Sequence, residues 1–273
     1  MNSPTLALCI PAYNAAAYLP RLLGSAAAQT SPFDEIWVYD DCSTDDTSAV
    51  ATRLGARVVR GTRNIGCSGG KNALVSHTTC DWVHFHDADD DLRPDFVARA
   101  RAHMANPSCP DAVIFDFEYR ELDTDELITV IRYDDAALRS DPIRYAIVQK
   151  IVSICGLYRR SAFLRAGGYD PDPEVLYNED CAFHVRLALA GVSFTADSGP
   201  PSIVNLRRGG SMSAANAVRC VAARLALLEK TALVAPARVR PEIATEAWLC
   251  ARQFAYHRRP GDLRSAIALA RRL

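Results

Sequence analysis

The residues of this sequence that could do chemistry crowd into one stretch, Asp81-Trp82-Val83-His84-Phe85-His86-Asp87-Ala88-Asp89-Asp90-Asp91-Leu92-Arg93-Pro94. Four carboxylates fall within five positions, after a β-favouring run from Trp82 to His86 and before a proline able to open a helix. Like charges a few ångströms apart raise one another's pKa, so such a cluster stays ionised around a divalent cation or in open water. Taken alone, an Asp-rich turn is equally well explained by solvation. His84 and His86 alternate onto one strand face, where structural histidines are expected rather than ligands.

The elements around this stretch repeat one pattern. Leu6 to Ile10 is a continuous apolar run suited to a strand buried on both faces, closed by Pro11-Ala12-Tyr13-Asn14 and followed by an Ala- and Leu-rich helix over residues 15–29. Glu35 to Tyr39 supplies a second strand, and Asp40 to Asp46 leads into a helix at Thr47 to Leu54, with Ser43 or Thr44 as its cap. Arg57 to Arg60 is a third strand, Asn64 to Gly70 a glycine-containing loop, and Lys71 to His77 the next helix. Three β-α units and a fourth strand in the first 90 residues predict a mostly parallel sheet with helices on both faces. Tyr13 and Asn14, Asp40 and Asp41, Asn64 and Lys71, and Asp87 and Asp89 all follow strand ends, the edge where such sheets bind ligands.

Beyond Pro94 the pattern predicts a helix to about Asn106, an antiparallel pair from Asp111 to Tyr119 and Glu126 to Tyr133, and a strand from Ile151 to Tyr158. Asn178-Glu179-Asp180 opens a helix that runs to about Leu189, and two short strands fall within residues 192–208. From Ala214 the chain reads as a helical annex of about 60 residues, punctuated by Pro236 and Pro260.

The 273 residues are 49% apolar and 23% charged, as in ordinary globular proteins, and the net charge of −1 gives no general pull toward nucleic acid. Nine cysteines form no C-x-x-C pair, and no basic segment with a long apolar core opens the sequence. The expectation is a cytoplasmic protein with reduced cysteines, peripheral at most to the inner face of a membrane. The annex arginines, from Arg219 to Arg272, could line a solvated face, a homodimer contact or a contact with anionic lipid.

Four motifs in order, Ile10-Pro11-Ala12-Tyr13-Asn14, Val38 to Thr47, Asn64-Ile65-Gly66 through Lys71-Asn72, and Asp87-Ala88-Asp89-Asp90, resemble the inverting family 2 glycosyltransferases of the GT-A fold. A fifth, Gly167-Gly168-Tyr169-Asp170 followed by Glu179-Asp180, stands where that family places its catalytic acid, and the resemblance covers roughly residues 5–213. It implies an α/β, GT-A Rossmann-like sheet flanked by helices, with a nucleotide-binding half to about residue 95 and an acceptor half over 96–213. Residues 214–273 form the helical extension.

The same resemblance implies a nucleotide diphosphate sugar donor, UDP-sugar favoured, and Mn²⁺ or Mg²⁺ held by Asp89 with Asp87. The extra Asp90 and Asp91 leave the ligand assignment open by one position. Pro11, Ala12, Tyr13, Asn14, Asp41, Asn64, Gly70, Lys71, Asp87 and Ala88 would bind the donor. Tyr13 would pack on the base, Asp41 would accept from an imide, and Lys71 would meet base or phosphate. Arg207 and Arg208 would close over the diphosphate, without the histidine many relatives carry there. Asp180 would be the general base, aided by a helix N-terminus, with Glu179 orienting it or the acceptor, a glycan or lipid-linked saccharide. The rival reading is a non-catalytic nucleotide-sugar-binding partner in a glycan-assembly complex. A nicotinamide enzyme is a poor alternative, since Pro11-Ala12-Tyr13-Asn14 supplies no G-x-G-x-x-G after the first strand.

Overall fold

The computed structural model describes residues 3–199, 203–207 and 216–273, and of residues 206 and 207 the backbone alone. Strands β1 (Leu6–Ala12), β2 (Glu35–Asp40), β3 (Arg57–Arg60) and β4 (Trp82–Phe85) alternate with helices α1 (Leu19–Ala27), α2 (Thr47–Arg53) and α3 (Gly66–His77). A two-residue strand, β5 (Asp91–Leu92), follows the acidic stretch and leads to α4 (Phe96–Met104). Next come β6 (Ala112–Phe115), β7 (Phe117–Glu121), β8 (Leu127–Ile131), α5 (Asp135–Ser140), α6 (Pro142–Val148), β9 (Gly156–Arg159) and α7 (Arg160–Arg165). The chain continues through α8 (Glu179–Leu189), β10 (Phe194–Asp197) and β11 (Ile203–Arg207) to three helices, α9 (Ala217–Val234), α10 (Arg240–Tyr256) and α11 (Pro260–Arg272).

The main sheet has seven strands in the order β10-β6-β9-β4-β1-β2-β3, and only β9 runs against its neighbours β4 and β6. Its central strands bury residues on both faces, as the unbroken apolar runs of β1 and β6 require. A second sheet, β5-β11-β7-β8, lies beside it. The segment from Asp111 to Tyr119, expected as one strand, is divided between the two sheets. Asp116 makes the break: its buried carboxylate accepts from Tyr133 N–H at 2.9 Å and pairs with Arg132 at 3.0 Å, so the chain turns around it. The antiparallel pairing expected there is made by β7 and β8.

Further departures are local: Ile151 to Tyr158, expected as one strand, is a helical turn over Ser153–Cys155 with a strand only from Gly156. Residues Gly66 to Gly70 are the first turns of α3 rather than a loop, because Asp41 accepts from the Ile65 and Gly66 N–H groups at 2.7 and 2.8 Å. Neither Ser43 nor Thr44 caps α2. The Ser43 hydroxyl instead accepts from Asn14 N–H, and Asp45 accepts from the N–H of Thr47.

The C-terminal helices pack into the same apolar core as the sheet through Leu225, Leu228, Ile243 and Phe254. Lys230 on α9 pairs with Asp170 at 3.0 Å and Asp172 at 2.5 Å, tying these helices to the turn that precedes α8. Several annex arginines make contacts within the chain: Arg224 pairs with Glu246, Arg238 with Asp141 and Arg259 with Asp262. Among the described residues no helix is long and apolar enough to cross a membrane.

Candidate active site

A cleft of about 350 Å³ opens at the carboxyl ends of β1, β2 and β4. Pro11, Ala12, Tyr13, Ala15 and Tyr18 form one wall, Asp41 and the Gly66, Cys67 and Lys71 face of α3 the second, Asp87, Ala88 and Asp89 the third, and Glu179 and Asp180 the fourth. The topology thus gathers residues from five separate motifs. It also sorts the four aspartates. Asp87 and Asp89 line the cleft, whereas Asp90 is buried and accepts from Asn205 at 2.7 Å, and Asp91 lies on β5 and pairs with Arg21 at 2.8 Å. Dispersal of the pairs relieves the repulsion that four adjacent carboxylates would otherwise suffer.

Lys71 sits at the centre and is almost wholly buried. Its ammonium donates to Ser153 Oγ at 2.6 Å and lies 3.7 Å from Asp180, 3.8 Å from Asp87 and 5.1 Å from the centre of the Tyr169 ring. Gly70 permits that depth: a Cβ there would meet Tyr39 at 3.1 Å and Pro11 at 3.3 Å, holding α3 away from β1 and β2. Burial works against the charge of Lys71, but the carboxylates of Asp180 and Asp87 help to keep its pKa well above the usual lysine value. Cys67 itself is pushed up to about 12 by burial and stays a thiol.

Glu179 and Asp180 occupy the first turn of α8, where the helix dipole favours negative charge. Their environments separate them. Burial, and then the neighbouring Asp180, push Glu179 up to about 7. Burial also opposes the charge on Asp180, yet Lys71 and the Ser153 hydroxyl outweigh it and hold Asp180 below the usual carboxylate range. Two adjacent acids, one held ionised and one partly protonated near neutrality, are an arrangement able to accept a proton from a hydroxyl. Partial burial, then Asp180 and Asp89, raise Asp87 against the pull of Lys71.

Not every residue singled out in the sequence reaches the cleft wall. Asn14, in a left-handed conformation, turns its carboxamide to the N–H of Thr44 at 2.9 Å. Asn64 accepts from Gly66 N–H at 3.2 Å, and Gly70 acts through its packing. Arg207 ends β11, and Arg208 lies outside the described residues. His84 and His86 are buried and bond to each other at 3.1 Å, with His84 also on Gly156 O; burial lowers the pKa of both. They are structural, as the alternation implied. Ala15, Tyr18, Cys67 and Ser153 were not singled out. The helical spacing of Cys67 four residues before Lys71 could have flagged that cysteine, while nothing local marks Ser153. Among the described residues, no group of three or more His, Cys, Asp and Glu side chains is arranged to hold a metal; Asp87 and Asp89 are two carboxylates on one wall.

A family model described as glycosyl transferase family 2 matches residues 7–166, which carry β1 to β4 and three of the cleft's four walls. The chain belongs to glycosyl transferase family 2. The enzyme is 31% identical over 192 residues to the PGL/p-HBAD biosynthesis glycosyltransferase of Mycobacterium bovis, a match covering 68% of this chain and 70% of that one. It is 34% identical over 99 residues to the succinoglycan biosynthesis protein ExoO of Rhizobium meliloti, covering 35% of this chain and 28% of ExoO. Among solved structures, Staphylococcus aureus TarS 1–349 in complex with UDP superposes with a TM-score of 0.68 at 18% identity, over 92% of this chain and 72% of TarS 1–349. The mannosyltransferase PcManGT of Pyrobaculum calidifontis, in complex with GDP-Man and Mn²⁺, gives 0.66 at 21% identity, over 98% and 74%. The glycosyltransferase therefore has the mostly parallel, helix-flanked GT-A fold implied by its motifs, with C-terminal helices added.

Proposed function

We propose that this glycosyltransferase is a metal-dependent inverting enzyme. It moves a hexosyl or N-acetylhexosaminyl group from a nucleotide diphosphate sugar, UDP-sugar favoured, to a hydroxyl of a glycan or lipid-linked acceptor. The observation that carries this reading is one cleft with Asp87 and Asp89 on one wall, Glu179 and Asp180 on another, and the Lys71 ammonium within 4 Å of both Asp87 and Asp180. The complexes of TarS with UDP and of PcManGT with GDP-Man and Mn²⁺ support it. The donor half extends to about residue 95 and the acceptor half over 96–213.

In this reading the half-exposed Tyr13 ring offers its face to the base, with Pro11, Ala12 and Ala88 as close walls. Asp41 spends one lone pair of each oxygen on the α3 N–H groups and keeps others for an imide N–H. Asn14, Asn64 and Gly70 shape the site rather than touch the donor. Arg207 and Arg208 are assigned to the diphosphate. Two oxygen donors on an open wall fit Mg²⁺ or Mn²⁺, which bind through one or two carboxylates together with phosphate and water. Held by Asp89 and Asp87, the ion would neutralise the departing diphosphate.

The protein's own contribution is to the proton. Ionised Asp180 takes the acceptor's hydroxyl proton as that oxygen's electron pair forms a bond to the anomeric carbon. The bond to the diphosphate oxygen breaks on the opposite face, and its pair leaves with the nucleotide. Lys71 keeps Asp180 ionised in a partly buried site. Peripheral contact with a membrane belongs to the same reading: α10 exposes Trp248, Leu249 and Tyr256 beside Arg252.

The experiment is release of nucleoside diphosphate from UDP-, GDP- and dTDP-sugars with Mn²⁺, for wild type and Asp180→Asn. Turnover in the wild type alone is the expected result; equal rates in the two proteins would remove Asp180 as the base.

A further inference from the structure

Ser153 belongs to none of the motifs that build the cleft and lies in the turn Ser153–Cys155, before β9. It is 1% exposed, and its hydroxyl is engaged on both sides. Lys71 Nζ lies 2.6 Å from Oγ, and Oγ lies 2.6 Å from Asp180 Oδ1. The polarity of this chain is fixed by chemistry. An ammonium only donates, so Oγ accepts from Lys71, and an ionised carboxylate only accepts, so the single hydroxyl proton of Ser153 goes to Asp180. Lys71 also approaches Oδ1, at 3.7 Å, too long for a direct hydrogen bond. Serine is therefore the group that converts a buried positive charge into a short directional bond on one chosen oxygen of the carboxylate.

We infer that Ser153 is a positioning residue for proton transfer: by fixing Oδ1 of Asp180 it presents Oδ2 to the acceptor hydroxyl. This rests on the reading of Asp180 as the base. The acceptor O–H bond breaks as its proton forms a bond to Oδ2, the acceptor oxygen pair attacks the anomeric carbon, and the diphosphate oxygen leaves with the pair of the bond that breaks. The Ser153 proton and the Lys71 charge stay where they are. A carboxylate free to rotate would spend part of its time with neither oxygen aimed at the acceptor, and misplacement of about 1 Å at a reacting group can cost roughly a hundredfold in rate. Ser153 is buried and does not line the cleft, so its effect is expected on kcat rather than on the donor KM.

The test uses the full chain and the panel donor that turns over with wild-type protein, read as nucleoside diphosphate release at saturating Mn²⁺. Ser153→Ala is expected to lower kcat at least tenfold with the donor KM within twofold of wild type. Ser153→Thr, which keeps the hydroxyl, is expected to retain more of kcat than Ser153→Ala. Thermal stabilisation by the nucleoside diphosphate of that donor should match wild type in Ser153→Ala; its loss would mark a merely structural role and overturn the inference. A Ser153→Ala kcat within twofold of wild type, or a loss carried by KM alone, while Asp180→Asn is inactive, would sink the positioning role and leave the base assignment standing. Equal turnover of wild type and Asp180→Asn would sink both.

Discussion

Asn72 holds the backbone of Tyr169 with both ends of its carboxamide: Oδ1 accepts from Tyr169 N–H at 2.9 Å, and Nδ2 donates to Tyr169 C=O at 3.0 Å. This clamp joins α3, which carries Lys71, to the Gly167-Gly168 turn ahead of α8, which carries Asp180. Asn72→Ala leaves two backbone groups unpaired at the junction and should cost about 1–3 kcal/mol, read as a lower urea midpoint. Gly168→Ala should act in the same direction, since Gly168 has φ +66° and a Cβ there would lie 2.4 Å from Asn72 Oδ1.

Asp41 should prove a stability residue in the unliganded protein. Asp41→Ala strips the α3 N-terminus of both bonds at a position 4% exposed and should cost about 1–3 kcal/mol in unliganded protein. Asp41→Asn, whose one amide oxygen can still accept, should cost less. Thermal unfolding without nucleotide checks the order of the two.

Ionisation of Glu179 should destabilise the folded chain. Its folded pKa of about 7 lies above the ordinary 4.5, so the stability it contributes is full below pH 4.5 and lost as pH rises through 7. Glu179→Gln should match wild type near pH 4.5 and exceed it by on the order of 2 kcal/mol at pH 8. Denaturant unfolding at the two pH values measures the gap, and no widening between them would contradict the assignment.

A second pH-linked contact lies away from the cleft. His103 donates to Asp197 at 3.0 Å, and that bond, with Cys109 beside it and against its burial, raises the histidine to about 9. Its stabilisation is present below the unfolded value near 6.5 and disappears as pH rises through 9. Wild type should lose stability between pH 7 and 10 more steeply than His103→Gln, as followed by the shift in Tm.

Asp89→Asn should raise the Mn²⁺ concentration giving half-maximal turnover at least tenfold, whereas Asp91→Asn should leave it within twofold, because Asp91 is engaged by Arg21 outside the cleft. A manganese titration of turnover in the two variants distinguishes them.

The sequence by itself determined the β-α repeat, the parallel sheet and the edge at which the cleft opens, because apolar runs and the polar residues that end them are local signals. It also named ten residues that line the cleft, from Pro11 to Asp180. Long-range meetings were beyond it. Only the tertiary structure decided that Asp116 would divide one apolar stretch between two sheets, that Asp41 would extend α3 back to Gly66, and that Asp90 and Asp91 would turn away from the cleft. Lys71 and Ser153, 82 residues apart, meet because β9 enters the sheet antiparallel beside β4, and strand order carries no trace in residue spacing. Spacing along a chain reports which face a residue occupies; which distant group it meets there depends on how the faces pack.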